Sequence, residues 1–157
     1  MPMGNFKRDL KTGERGEAIV IDYLESLDSV ARVEDVRDDV IFREFEVDFV
    51  IETTKGKYIP IEVKTDTQAH RTGNIAYEVH SSKTYQTKGC FEKTKAKYIY
   101  YYLVATEELF RIDVKRLRMH VERFYKGTRL ISMGDDADGY LIKISELQTH
   151  KVAKKIL

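Results

Sequence analysis

A single cysteine, Cys90, stands in the whole chain. That excludes an internal disulfide framework and a zinc site built from several thiolates, and it fits a reducing compartment. A lone thiol with no evident partner is expected to pack rather than react. Proline occurs only at Pro2 and Pro60, so no proline-rich linker divides the chain. There is no internal repeat and no low-complexity segment. No apolar run nears the ~18 residues that a bilayer span needs, and no hydrophobic signal segment opens the sequence. The expectation is a soluble, cytoplasmic protein with no membrane contact. Net charge is only +1, which by itself favours no class of partner.

What is present reads as globular. Apolar residues make up 42% and charged residues 34%, a balance that folds rather than stays disordered. A length of 157 residues suits one domain, residues 1–157, with one core. The charges are segregated. Residues 34–52 carry Glu34, Asp35, Asp38, Asp39, Glu44, Glu46, Asp48 and Glu52 against Arg37 and Arg43. Residues 111–129 carry Arg111, Lys115, Arg116, Arg118, Arg123, Lys126 and Arg129 against Asp113 and Glu122. An acidic pocket inside a basic rim would produce that split.

Residues 1–9 read as a loose basic start. A helix is expected over 12–27, with Thr12 as its cap and Ala18, Ile21, Leu24 and Leu27 as its apolar stripe. Glu17 lies along that stripe, where a carboxylate needs a partner. Alternation predicts a strand over 42–53, with Phe45, Val47, Phe49 and Ile51 on one face. Thr53 to Lys57 connects it to a returning strand, 57–65, whose Glu62 and Lys64 project from one face. Pro60 marks an edge or a bulge. Strands follow over 74–80, 97–105, 108–112 and 140–144. Residues 81–96 read as a loop or short helix. A helix is expected over 113–125, and a helical basic tail from Ser145. The sum is an α/β (α+β) fold with one central mixed sheet flanked by helices.

Two carboxylates on neighbouring strands with a lysine beside them suit metal-dependent phosphodiester hydrolysis. Mg²⁺ takes hard oxygen ligands and keeps several waters, so Asp48 and Glu62 can share one ion, with the Val63 carbonyl as a further ligand. Mn²⁺ would substitute. Lys64 can orient the attacking water or stabilise charge on the phosphorane. Glu17 can complete the pocket. Glu78, on a face with His80, is a candidate accessory ligand. Arg71, Lys83, Lys115 and Arg118 are candidate phosphate contacts. Tyr98, Tyr100, Tyr101 and Tyr102 are expected to pack inside a sheet rather than stack on bases.

The order helix glutamate, aspartate, then Glu62-Val63-Lys64 resembles the PD-(D/E)xK nuclease superfamily, with Val47 where that pattern often has proline. The run Gly13-Glu14-Arg15-Gly16-Glu17 is similar to archaeal-type Holliday-junction resolvases, and Thr72 to Glu78 to small phage-borne nucleases. The likeness covers residues 13–105. It implies a restriction-endonuclease-like core, Glu17, Asp48, Glu62 and Lys64 as the catalytic set, Mg²⁺ as cofactor, and hydrolysis of DNA that leaves a 5′ phosphate. For a junction resolvase of DNA recombination and repair it implies a homodimer, since symmetric cuts need two related sites. A sequence-specific endonuclease, an end-processing exonuclease and a silent nucleic-acid-binding module stay open as alternatives.

Overall fold

A computed structural model describes residues 3–157, with side chains from Leu10 onward. In chain order the elements are α1 (Met3–Glu25), β1 (Val30–Asp35), α2 (Val40–Glu44), β2 (Phe49–Thr53), β3 (Tyr58–Asp66), α3 (Ala69–Thr72), β4 (Asn74–Ser82), β5 (Thr87–Lys88) and α4 (Cys90–Lys93). There follow β6 (Tyr98–Leu103), β7 (Glu108–Asp113), α5 (Val114–Phe124), β8 (Ile131–Ser132), β9 (Asp138–Lys143), α6 (Ile144–Thr149) and β10 (Ala153–Lys155). Among the described residues no helix is long and apolar enough to cross a membrane.

The fold is mixed α/β around a six-stranded sheet ordered β1-β2-β3-β6-β7-β10. Only β3 and β6 run parallel; the other pairs are antiparallel. A parallel pair needs a crossover, and this one carries α3, β4, β5 and α4. Within it β4 joins β9 in a second, four-stranded sheet ordered β5-β4-β9-β8. The sequence reading expected one sheet. The second arises because β4 pairs with β9, more than fifty residues away, and no local pattern encodes such a pairing.

Strand alternation assigns the two faces of the large sheet. On one face α1 buries Val20 and Leu24 against Phe49, Ile51, Ile61, Tyr100 and Tyr102. On the other, Ile99, Tyr101, Phe110 and Ile112 meet Ile75, Tyr77 and Ile142 of the second sheet and Val114, Leu117 and Val121 of α5. Tyr100, Tyr101 and Tyr102 are thus core residues, as their pattern predicts. The 113–125 stripe is likewise the buried face of α5, capped by the Asp113 carboxylate, which accepts the Arg116 amide at 2.9 Å.

Several boundaries differ from the sequence reading. Helix α1 begins at Met3, so Thr12 lies inside it; of the expected loose start, residues 1–2 lie outside the described residues. Ala18 is exposed, and the buried face runs Gly16, Val20, Leu24, a four-residue spacing that small Gly16 concealed. The expected 42–53 strand begins only at Phe49. Asp39 caps the short helix α2 instead, accepting the Ile41 and Phe42 amides at 2.9 and 3.3 Å. Phe45 therefore ends 40% exposed, and Val47 packs with Val36 and Ala96. Strand β1 was not foreseen, and the tail adds β10 after α6. Pro60 sits in a central strand. Its carbonyl faces β6 and accepts the Lys97 amide at 2.8 Å. A residue's N–H and C=O share one side of a strand, so the missing N–H falls where β6, starting at Tyr98, has not begun.

Gly16 sets how closely α1 approaches β3. A Cβ there would overlap Thr65 Oγ1 and stand 3.3 Å from Thr65 Cβ. Gly16→Ala should therefore destabilise by about 1–3 kcal/mol, although alanine is the better helix former by about 1 kcal/mol. Denaturant titration should show that penalty shrinking in a Thr65→Ala background. An equal penalty in both backgrounds would place the strain elsewhere.

Candidate functional site

The site forms where β2 and β3 part. Asp48 immediately precedes β2. Its amide donates to the Ile61 carbonyl at 2.9 Å, and its Oδ2 accepts the Val63 amide at 2.7 Å. The side chain thus takes over the ladder where the strand ends. By alternation, the Val63 carbonyl points to that same open edge.

Glu62 and Lys64 project from the other face, as expected. Lys64 Nζ lies 2.6 Å from Glu62 Oε1. Glu62 is only 2% exposed, and among the described residues neither of its carboxylate oxygens has a hydrogen-bonded donor. The Lys64 ammonium is the one cation paired with this carboxylate among the described residues. Neighbouring Thr94, which donates its hydroxyl to the Glu46 carbonyl at 3.2 Å, also lies close enough to lower Glu62. Burial pushes the Glu62 carboxyl up to about 7, against the pull of Lys64. Lys64 is itself pressed down by burial, but Glu62, Cys90 and Glu46 together hold it above its ordinary value. Burial also raises Asp48, which the Val63 amide and Lys64 partly offset.

Glu17 reaches the same region from α1. A cavity of about 270 Å³ is lined by Glu17, Val63, Lys64 and Thr65 together with Thr12, Gly13 and Thr67. Arg37 donates to Glu17 through Nη1 and forks onto Asp35, with Nε–Oδ1 at 2.9 Å and Nη2–Oδ2 at 2.6 Å. Its guanidinium also stands 5.1 Å from the Phe49 ring centroid. Burial raises Glu17, Arg37 lowers it and Asp48 raises it further. Arg37 thus holds the helix glutamate, a role the sequence reading missed. Its one signal was being one of two cations inside the acidic run.

The remaining candidates scatter. Glu78 lines a cavity of about 380 Å³ with Glu46, Cys90 and Lys93, and Cys90 stands between it and Lys64. The expected pairing of Glu78 with His80 fails because a bulge separates them, and His80 Nδ1 turns to Asp138 Oδ1 at 2.6 Å. Burial pushes the Cys90 thiol up to about 11. Arg71 is exposed on α3, Lys83 is half-buried in the β4–β5 turn, and Lys115 is exposed on α5. Arg118 is no free phosphate contact. Its guanidinium donates to the carbonyls of Phe91 at 2.9 Å, Glu92 at 3.3 Å and Thr94 at 2.6 Å, fastening α4 behind Glu62.

Among the described residues no group of three or more His, Cys, Asp or Glu side chains stands together as a metal cluster. The arrangement is instead the carboxylates of Asp48 and Glu62, one strand-edge carbonyl and one cation. Protein-family models, curated proteins and solved structures yield no match to the chain.

Arg118→Ala should lower the unfolding free energy by about 2 kcal/mol, since charged donors would leave three carbonyls; unchanged stability in urea titration would contradict the clamp. Glu62 makes stability depend on pH. The unfolded carboxyl ionises near 4.5 and the folded one near 7, so the folded chain holds a proton that the unfolded chain has released. The Glu62 contribution to stability is full below pH 4.5 and should fall by roughly 3 kcal/mol as pH rises to 7. Glu62→Gln should flatten that decline. A decline that persists in the variant would assign it to another group.

Proposed function

We propose that the chain is a Mg²⁺-dependent DNA endonuclease with a restriction-endonuclease-like core. One observation carries this reading: a buried carboxylate, Glu62, ion-paired to Lys64 through Oε1, with Oε2 lacking a hydrogen-bonded donor, and near enough to Asp48 to feel its charge. A buried carboxylate left in that state is costly. A hard cation would satisfy its oxygens, so the residues present fit Mg²⁺. Asp48, Glu62 and the Val63 carbonyl would hold it, and Mn²⁺ would fit the same donors. When bound, Mg²⁺ supplies Lewis-acid polarisation of the phosphate and a water of lowered pKa.

The chain's own residues then divide the work. Asp48 is fixed in place by the Val63 amide. Lys64, held in its charged form, donates from Nζ to the phosphate oxygens as negative charge develops, rather than removing a proton from water. Glu17, held in place by Arg37, orients water from the α1 side. Branched DNA is the narrower substrate we propose, and two symmetric cuts in a four-way junction would require a homodimer.

The test is a gel assay with and without Mg²⁺ on end-labelled four-way junction, splayed-arm, linear duplex and single-stranded DNA. Lys64→Ala should reduce cleavage by about 10²–10⁴-fold while DNA affinity stays within twofold. Glu62→Ala should abolish both cleavage and the heat of Mn²⁺ binding. Paired cuts confined to the junction would establish the resolving activity. Cleavage of every substrate would make the chain a general nuclease, and wild-type cleavage by Lys64→Ala would refute the role of the lysine.

A further inference from the structure

At the far corner of the six-stranded sheet, a cavity of about 460 Å³ is lined by Tyr98, Arg111, Asp113, Arg116, Lys151 and Lys154, among others. Arg111 and Lys154 are register partners on β7 and β10. Arg116 lies in the first turn of α5, and Lys151 follows α6. The Arg116 guanidinium donates to the Lys151 carbonyl at 3.1 Å, which fixes it at the rim. Arg111 lies 4.8 Å from the Tyr98 ring centroid, with Lys97 Nζ 5.3 Å from the same ring.

These four cations converge around a single counter-charge. Asp113 is the one carboxylate in the lining, and it already accepts the Arg116 amide. Among the described residues none of the four cations forms an ion pair. A single solvated lysine is ordinary, but four like charges around one concavity repel one another and favour a bound anion. Two guanidinium forks match the oxygens of phosphate. The volume falls within the ~300–1,000 Å³ of small-ligand pockets.

Register gives the distance from the cavity to the site, with Tyr100 buried beneath α1 between them. Val63, Tyr100, Arg111 and Lys154 are successive partners across β3, β6, β7 and β10. At ~4.8 Å per strand the row spans about 14 Å. Each strand of duplex DNA carries one phosphate per ~3.4 Å of helix axis, so a duplex lying with its axis along the row would place the cavity roughly four base pairs from Val63. We propose that it is a phosphate subsite that grips the DNA backbone a few nucleotides from the bond to be cut. This rests on the nuclease reading of Glu62 and Lys64.

The test compares two variants of equal charge, Lys151→Gln/Lys154→Gln in the cavity and Lys55→Gln/Lys57→Gln in the β2–β3 hairpin. Binding of a linear duplex is measured across salt concentration. The cavity variant should lower the slope of log K against log salt by about 1.8, for two lost phosphate contacts. The hairpin variant should leave it unchanged, and both should keep the wild-type heat of Mn²⁺ binding. An unchanged slope in the cavity variant, or an equal drop in the hairpin variant, overturns the subsite while Lys64-dependent cleavage still stands. Tyr98 resonances that shift with inorganic pyrophosphate, in a protein that binds no DNA, would assign the cavity to a free phosphate ligand and overturn the proposal.

Discussion

The hydrogen bond from the Val63 amide to Asp48 Oδ2, 2.7 Å long, is the constraint on which the rest of the site depends. It occupies the point where β2 has ended and β3 continues. A backbone partner there would have closed the ladder and covered the Val63 carbonyl. A side-chain carboxylate closes the amide and leaves that carbonyl's edge open. One bond therefore ends a strand, fixes the direction of an acidic group, and exposes a backbone acceptor beside it.

Around this junction the protein arranges charge by removing water. Glu62 and Lys64 share one face and one low-dielectric environment, where attraction and desolvation act on the same pair. Desolvation prevails at the carboxylate and attraction prevails at the amine. Arg37 performs a comparable task for Glu17 at the opposite face, in a wetter setting. Arg118 contributes from further back: it binds the backbone of α4, and α4 leads directly into Thr94, which packs on Glu62. A guanidinium with no direct contact to the acidic pair thus maintains its dryness.

The parts legible in sequence were those with a local signature. The β3 alternation placed Glu62 and Lys64 on one face. The tyrosine-rich run announced a buried strand, and the stripe of α5 was regular enough to read. Phe45 to Ile51 misled because an alternating pattern says nothing of the cap at Asp39, which bends the chain into α2 before the strand begins. Gly16 hid the true buried face of α1, since a glycine scores as no side chain at all. Arg37 and Arg118 were illegible for a different reason. Their partners, Glu17 and the α4 carbonyls, lie twenty or more residues away, and a cation looks the same in sequence whether it faces solvent or a buried carboxylate. The pairing of β4 with β9 belongs with these non-local contacts.

The parallel contact of β3 with β6 also orders events in time. Glu17, Asp48, Glu62 and Lys64 all lie on the α1-to-β3 segment, whose strands pair through short connections. The residues that dry Glu62 lie on α4, late in the crossover of some thirty residues between β3 and β6, and beyond it. Loop-closure entropy favours the short connections first. Pairing of β2 with β3 therefore needs no contact from the crossover that covers Glu62. The perturbed Glu62 is created only when the crossover docks. Maturation of the site is thus a late desolvation step, separable from formation of the strands that carry it.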